Sequence, residues 1–395
     1  MNNINIRCDI FCNVIDNYGD IGVCWRLARQ LVLEHGMAAR LWVDDLASFS
    51  KLCPEVDASL AQQNCRGVEI MHWITPFPEV RPAQLVIEAF ACELPQRYVS
   101  AMAQQIHKPV WINLEYLSAE DWIEDCHTLP SPHPSLPLVK YFFFPGFTAQ
   151  TGGLLLERNL FARRDSFQHD ALQQHAFWQS IGLQTPATDT LKVSLFAYEN
   201  NALADLLDAW ASGPEAVLCL VPEGRILPQL GKYFGATAPH PGDAYAHGNL
   251  QVRVLPFMEQ ERYDELLWAC DINFVRGEDS CVRAQWAGLP FVWHIYPQHD
   301  NVHLQKLRAF MALYCSELQP DAADALHDLW KNWNGEQVAD QAAVTSAQVW
   351  NKFLQHRSML RQHAGAWAQH LSSNSLALNL LDFFRKIDRM RGLHS

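Results

Sequence analysis

Two short acidic loops hold the residue types with which a protein can move protons and bind phosphates. The first, Asp16-Asn17-Tyr18-Gly19-Asp20, carries a carboxylate at each end. At the carboxyl end of a strand, either carboxylate can face a bound ligand. Equally, the pair can be loop formers, with Asp20 capping a helix that begins at Ile21. Spacing favours neither reading. The second loop, Arg276-Gly277-Glu278-Asp279-Ser280, sets a cation, two carboxylates and a hydroxyl before the helical run Cys281–Ala287. Ser280 is predicted to be the N-cap of that helix. A helix start favours negative charge and offers N–H groups, so a phosphate-bearing ligand fits there, with Arg276 neutralising it. A diphosphate would repel Glu278, so Glu278 is expected to accept hydrogen bonds from sugar or ribose hydroxyls instead. The plainer alternative is that Glu278 and Asp279 are acidic residues at a helix start, favoured there by ~0.3–1 kcal/mol.

Two further sets of residues are ambiguous. Phe257 and Gln260 follow an apolar strand ending at Leu255, and an aromatic face beside an amide suits stacking on and pairing with a base; Phe257 as a core residue is the other reading. Phe196 and Tyr198 carry the same ambiguity. His294, His299 and His303 have a loose ligand-like spacing and are read as surface or hydrogen-bonding histidines rather than a metal site. The chain contains no G-x-G-x-x-G, no G-x-x-x-x-G-K-[ST] and no D-x-D, which argues against a dinucleotide fingerprint, a P-loop and a metal held by paired aspartates.

The elements that must position these residues alternate between strand and helix. A strand-like run at residues 7–15 ends in the first acidic loop, and Ile21–Glu34 is apolar at helical spacing, closed by Gly36. Short strands follow at Ala39–Val43, Val68–Trp73, Gln84–Ala89, Pro109–Asn113 and Leu138–Phe144, with a helix at Gln96–Ile106 and a proline-rich extended loop at 128–137. The tract PGFTAQTGG at 145–153 is either an active-site loop or a plain turn. The polar stretch Leu183–Thr190 is the expected linker. Beyond it, Leu191–Ala197 opens a second series of strands and helices that includes Asp271–Val275, the helix after Ser280, and Phe291–His294. From about Ala322 the chain reads as helical, ending in Leu376–Met390. Strand–helix alternation predicts parallel sheets: an α/β protein with two Rossmann-like domains, 1–184 and 190–365, and a C-terminal segment, 366–395, returning to the first. Ligands in such sheets bind at the carboxyl ends of the strands, where both acidic loops fall.

Totals narrow the function classes. A chain of 395 residues with 49% hydrophobic content exceeds one ordinary core. A formal charge of −13 without a long basic run lacks the electrostatic footprint of a nucleic-acid binder. No apolar run approaches a membrane span and the N-terminus has no signal-peptide layout, so a cytoplasmic protein is expected. Eleven cysteines, scattered and without a C-x-x-C pair, suit reduced core thiols.

The blocks IDNYGDIGVCWRLARQL, VIEAFACELP, WINLEYLSAE and RGEDSCVRAQWAGLPFVWHIYPQ resemble those of the elongation factor P arginine rhamnosyltransferases. The resemblance implies a GT-B glycosyltransferase fold. It also implies a dTDP-β-L-rhamnose donor substrate with no cofactor or metal, and inverting transfer to an arginine of translation elongation factor P, activating that factor for ribosomes stalled on polyproline. Residue by residue, it implies Asp20 as the general base with Asp16 supporting it. Donor contacts are implied at Asn17, Tyr198, Arg276, Glu278, Asp279 and Ser280, with Phe257 and Gln260 forming the base pocket. A GT-B transferase with a lipid or glycan acceptor, or a non-catalytic nucleotide-sugar-binding protein, are the alternatives.

Overall fold

The structure is a computed structural model that describes residues 6–15, 18–298, 301–336 and 345–392. Asp16, Asn17 and His299, singled out above, lie outside the described residues. The chain divides into two compact units: residues 1–158 with 371–395, and residues 159–370.

In the first unit the strands are β1 (Arg7–Cys12), β2 (Ala38–Val43), β3 (Gln62–Cys65), β4 (Val68–His72), β5 (Leu85–Ala89), β6 (Val110–Leu114), β7 (Pro130–Pro132) and β8 (Val139–Phe143). Among the described residues they order as β3-β4-β2-β1-β5-β6-β8-β7. Only the outermost pairings, β3 with β4 and β7 with β8, are antiparallel. The helices are α1 (Gly19–Leu33), α2 (Leu46–Leu52), α3 (Gln96–Gln104) and the single turn α4 (Trp122–Cys126). The central strands read as unbroken apolar runs because crossover helices cover both faces of a parallel sheet. Phe11, Trp42, Phe77, Tyr98 and Trp111 pack on one face as an aromatic cluster. A buried ion pair sits beneath it, where Arg40 grips Asp9 through two hydrogen bonds of 2.7 Å. The proline-rich loop is not wholly irregular: its residues 130–132 form the edge strand β7, and an edge is where a sheet tolerates proline.

The second unit begins with α5 (Leu160–His169) and α6 (Ala171–Ser180). It continues through β9 (Leu191–Leu195), α7 (Leu203–Ser212), β10 (Val217–Pro222), α8 (Leu227–Phe234), β11 (Ala244–His247), β12 (Leu250–Leu255) and α9 (Gln260–Ala269). Then come β13 (Ile272–Arg276), α10 (Asp279–Ala287), β14 (Phe291–His294) and the helices α11 (Val302–Tyr314), α12 (Pro320–Trp333), α13 (Ser346–Gln355) and α14 (Arg357–Leu371). The sheet order is β11-β12-β10-β9-β13-β14, parallel except for β11. Aromatic rings of Phe291, Phe310, Tyr314 and Trp330 join β14 to α11 and α12.

The division at Arg158 replaces the linker expected at 183–190. Helices α5 and α6 carry no strand that would mark their sheet, yet their aromatic residues bind the second unit: Phe161 meets Trp286 at 5.7 Å, Phe167 meets Trp268 at 5.8 Å, and Arg164 Nη1 donates to the Trp286 carbonyl at 2.9 Å. The last helix, α15 (Leu376–Gly392), belongs to the first unit, and the return falls at 371 rather than 366. There Leu154 bridges Ser375, and Arg391 Nη1 donates to the Lys108 and Pro109 carbonyls at 2.9 Å. This return explains the last glycine of the PGFTAQTGG tract. Gly153 has φ +77°, and a Cβ there would lie 2.3 Å from the Asn374 carbonyl oxygen. No described helix is long and apolar enough to cross a membrane.

Candidate active site

Both sheets share one topological feature. The chain starts on an inner strand and builds outward first on one side and then on the other, so the connections leaving two neighbouring strands diverge and open a crevice at their carboxyl ends. In the second unit those neighbours are β9 and β13. The residues after β9 are Phe196 and Tyr198, and those after β13 are the acidic turn, so the two sets meet although they are distant in sequence.

Arg276 is the centre of this meeting. Its guanidinium carbon lies 4.5 Å from the Phe196 ring and 4.6 Å from the Tyr198 ring. The side chain is buried, and its Nη1 has no hydrogen-bond partner. A buried cationic donor left unsatisfied is costly, and such a group in a native structure points to a missing partner. Gly277, at φ +64°, supplies the left-handed turn between β13 and α10. The helix starts one residue before Ser280, so Ser280 is not the N-cap: Glu278 holds that position without a side-chain cap bond. The Ser280 hydroxyl instead folds back on the turn, accepting from the Arg276 N–H at 3.1 Å and donating to the Arg276 carbonyl. The first-turn N–H groups of Ser280 and Cys281 precede any acceptor inside the helix. Glu278 is half-buried and pairs with Lys306 at 3.4 Å.

Two neighbouring helices hold this turn in place. Arg283 of α10 grips Asp264 of α9 through hydrogen bonds of 2.8 and 2.7 Å, both side chains being buried. At the start of α9, Gln260 Nε2 donates to Asp279 Oδ2 at 3.3 Å. Phe257, three residues earlier, is half-buried rather than a core residue. The structure therefore gathers Tyr198, Gln260, Arg276, Glu278, Asp279 and Ser280 into one polar cluster at the strand ends, with Phe257 on the loop entering it.

Sequence reasoning missed several members. Arg225, after β10, lies 6.0 Å from the Tyr198 ring. Tyr263 packs edge-on against Phe196 at 5.6 Å, and burial, then Asp279, pushes its hydroxyl pKa up. His294, read from the sequence as a surface or hydrogen-bonding histidine, is instead buried opposite Arg276 in the β13–β14 register and packs edge-on against Tyr198 at 5.3 Å, with an Nδ1 that has no partner. Burial, reinforced by Arg276 and His303, pushes its pKa down to about 3, so the imidazole is neutral. His303 is occupied by the Gln298 N–H at 3.1 Å. No periodicity marks these residues, because each is set by the end of a different strand.

In the first unit the matching neighbours are β1 and β5. Asp20 is not an N-cap either; α1 begins at Gly19 with Tyr18 in the cap position. Asp20 is buried within the first turn, and its Oδ2 accepts the Ile15 N–H at 2.9 Å. Asp44, after β2, accepts the Val14 N–H at 2.9 Å, so two carboxylates pin the loop leaving β1. Across the switch point, Phe90, Ala91 and Glu93 take φ of +57°, +52° and +52°. Non-glycine residues in this region each cost of order 1–3 kcal/mol and cluster at functional sites. The strained turn is held by the Asn113 Oδ1, which accepts the Ala91 N–H at 3.1 Å, and Phe90 stacks on the half-exposed Tyr116 at 4.5 Å. Nothing in the FACE tetrapeptide signals this backbone, since it has neither glycine nor asparagine.

Residues 8–385 match the family model described as elongation factor P (EF-P) rhamnosyltransferase EarP. The chain belongs to the EarP family. A protein-arginine rhamnosyltransferase of Pseudomonas putida is 52% identical over 378 residues, covering 95% of this chain and 98% of its own. One of Neisseria meningitidis is 36% identical over 402 residues, covering 99% and 100%. Among solved structures, one presented as the structural basis for EarP-mediated arginine glycosylation of translation elongation factor EF-P aligns with a TM-score of 0.67 at 39% identity, over 96% of this chain and 99% of that one. The calicheamicin glycosyltransferase CalG4 aligns at a TM-score of 0.52 and 13% identity, over 98% of this chain and all of its own, which bears on fold alone. The chain has the GT-B fold of these enzymes, two Rossmann-like domains with a C-terminal helix in the first, and the family is one of glycosyltransferases.

Proposed function

We propose that the chain transfers L-rhamnose from dTDP-β-L-rhamnose to an arginine of translation elongation factor P in the cytoplasm, with inversion and without a metal. The modified factor is then active on ribosomes stalled at polyproline. The observation that carries the donor half is the buried, unpartnered Nη1 of Arg276, stacked between two aromatic rings beside the start of α10. A diphosphate completes that donor's hydrogen bonding and lies where the helix start favours negative charge. Phe257 and Gln260 take the thymine, Tyr198 and Glu278 take hydroxyl groups of the donor, and Asp279 orients Gln260. Ser280 shapes the turn and presents its N–H to the phosphates, and Asn17 is assigned as a further donor contact.

The acceptor half rests on family membership and on Asp20. Inversion requires one displacement, in which a nucleophile attacks the anomeric carbon opposite the departing diphosphate through an oxocarbenium-like transition state. A guanidinium is protonated and has no free lone pair, so a carboxylate must orient it and take its proton. Asp20 is assigned as that base, its direction fixed by the Ile15 N–H, with Asp16 as its partner. Charge then develops on the leaving diphosphate, where preorganised donors act most strongly.

The test is incubation with dTDP-β-L-rhamnose and elongation factor P, followed by intact-mass measurement and fragmentation. A gain of one deoxyhexose on an arginine is expected. Donor binding without acceptor-dependent release of dTDP would instead identify a non-catalytic binding protein. Release that occurs only with a lipid or glycan acceptor would overturn the assigned acceptor.

A further inference from the structure

The outer edge of the first unit carries a side-chain cluster that the transfer reaction does not use. Cys53 is the C-cap of helix α2, and a turn closed by the Val56 N–H on the Cys53 carbonyl at 2.9 Å contains Pro54 and Glu55. The edge strand β3 ends at Cys65, where the Arg66-Gly67 turn, both residues at positive φ, reverses the chain into β4. These two ends meet. Cys53 Sγ lies 3.4 Å from Cys65 Sγ, and Cys65 Sγ lies 3.3 Å from Glu55 Oε2. The three ligand atoms all lie within 4.8 Å of one another.

We propose that Cys53, Glu55 and Cys65 form a binding site for a soft divalent cation of the zinc class, clipping the end of α2 to the β3–β4 hairpin. Two ~2.3 Å metal–sulfur bonds at a tetrahedral angle set the sulfurs about 3.8 Å apart, and a ~2.0–2.2 Å metal–oxygen bond sets sulfur and oxygen about 3.6 Å apart. The observed separations are within a few tenths of an ångström of both. A disulfide, at ~2.05 Å, would need a far larger approach of the two sulfurs. The carboxylate is also oriented as a ligand. Arg66 holds Glu55 Oε1 through Nε at 3.0 Å and Nη2 at 2.8 Å, while Oε2 faces the thiol. Such outer contacts fix ligating carboxylates in metal sites. Charge balances as well: two thiolates and one carboxylate leave a divalent ion complex at −1, which the Arg66 guanidinium offsets. Both sulfurs are buried while Glu55 is exposed, so the ion enters, and a water completes the fourth position, from the Glu55 side. Burial raises both thiol pKa values, so each bound ion displaces two protons to solvent.

The test uses the full chain, stripped of metal under a non-thiol reductant and titrated with Co²⁺. A near-ultraviolet thiolate-to-cobalt charge-transfer band saturating at one equivalent, bleached by Zn²⁺ and absent in Cys53→Ser and Cys65→Ser, is expected. Glu55→Gln changes an exposed group and Arg66→Gln a half-buried one at the hairpin turn, and both should keep the fold. Each should weaken Co²⁺ binding by about 10–100-fold or more, with rhamnosyl transfer unchanged. No band at one equivalent, a band that persists in Cys53→Ser, or a purified chain lighter by the two hydrogens of a Cys53–Cys65 disulfide would each overturn the site.

Discussion

Arg276→Met separates ligand binding from stability, because the two demands on this residue pull in opposite directions. Its guanidinium is nearly buried and rests 4.5 and 4.6 Å from two ring centroids. Cation–π contacts are worth about 0.5–2 kcal/mol each, so the rings return roughly 1–4 kcal/mol. Burying a cation costs several kcal/mol, so the two nearly cancel and the unpartnered Nη1 leaves the balance unfavourable. An apolar side chain of similar length removes both terms, and such replacements are often neutral or stabilising. The ligand-free variant should therefore melt at or above the parent temperature. With dTDP bound, the variant lacks a charge-assisted hydrogen bond worth ~1.5–3 kcal/mol, which corresponds to about 10–150-fold weaker binding. Thymidine, which has no diphosphate, should bind both proteins alike. Arg276→Lys should fare little better than Met, since an ammonium cannot stack as a plane between two rings while presenting a donor beyond them. Calorimetric titration with dTDP and thymidine reads these outcomes. Equal weakening of the two ligands, or unchanged dTDP affinity, would refute the diphosphate assignment.

Asp20→Asn should retain the Ile15 contact and donor affinity but lose transfer, checked by calorimetry alongside the acceptor mass assay; near-normal transfer removes Asp20 from the base role. Asp264→Ala strands the buried Arg283 charge, so it should cost about 3–5 kcal/mol of stability in urea unfolding and should also weaken dTDP binding, because α9 and α10 carry Gln260 and the acidic turn. His294 gives the acid limb of stability its sign. The unfolded imidazole takes a proton below about pH 6.5 while the folded one refuses it until about 3. Stability is thus complete above the unfolded value and is lost as pH falls between the two. Over pH 7 to 5.5 the loss is roughly 1.3 kcal/mol, and His294→Phe should flatten that slope; an unchanged slope would show that His294 is not held neutral.

The central strands were legible because they are buried on both faces and read as apolar runs, and the first helix was legible through its 3.6-residue period. Edge elements were not. Strands β3 and β11 are short and mostly polar or exposed, so no period distinguishes them from loops, and helix α2, with Leu46, Phe49 and Leu52 at helical spacing, is only seven residues long. The domain boundary was misplaced because α5 and α6 say nothing in sequence about which sheet they cover; only the fit of Phe161 and Phe167 against Trp286 and Trp268 decides it. The cap positions offered for Ser280 and Asp20 both fall two residues too late in the chain, since the caps are Glu278 and Tyr18. In each case the helix takes in the expected cap, whose side chain instead bonds the backbone of the loop before it, Ser280 at Arg276 and Asp20 at Ile15.

The switch points explain which site residues were readable at all. A loop leaving one strand can be recognised when it breaks an apolar run with charge and glycine, as 276–280 does. Its partner across the crevice need have no such mark. Phe196 and Tyr198 look like core aromatics until β9 is found beside β13, and Phe90, Ala91 and Glu93 look ordinary until β5 is found beside β1. Strand order is a property of non-local pairing, so half of each crevice is invisible to any local reading. The same reasoning separates the two kinds of polar residue found at these strand ends. Asp264 and Arg283 satisfy each other and stiffen the frame, whereas Arg276 Nη1 and His294 Nδ1 stay buried and unsatisfied at the mouth of the crevice. Unmet hydrogen-bonding capacity held in place by a satisfied frame is what a preorganised ligand site requires, and it is found where the topology opens the sheet.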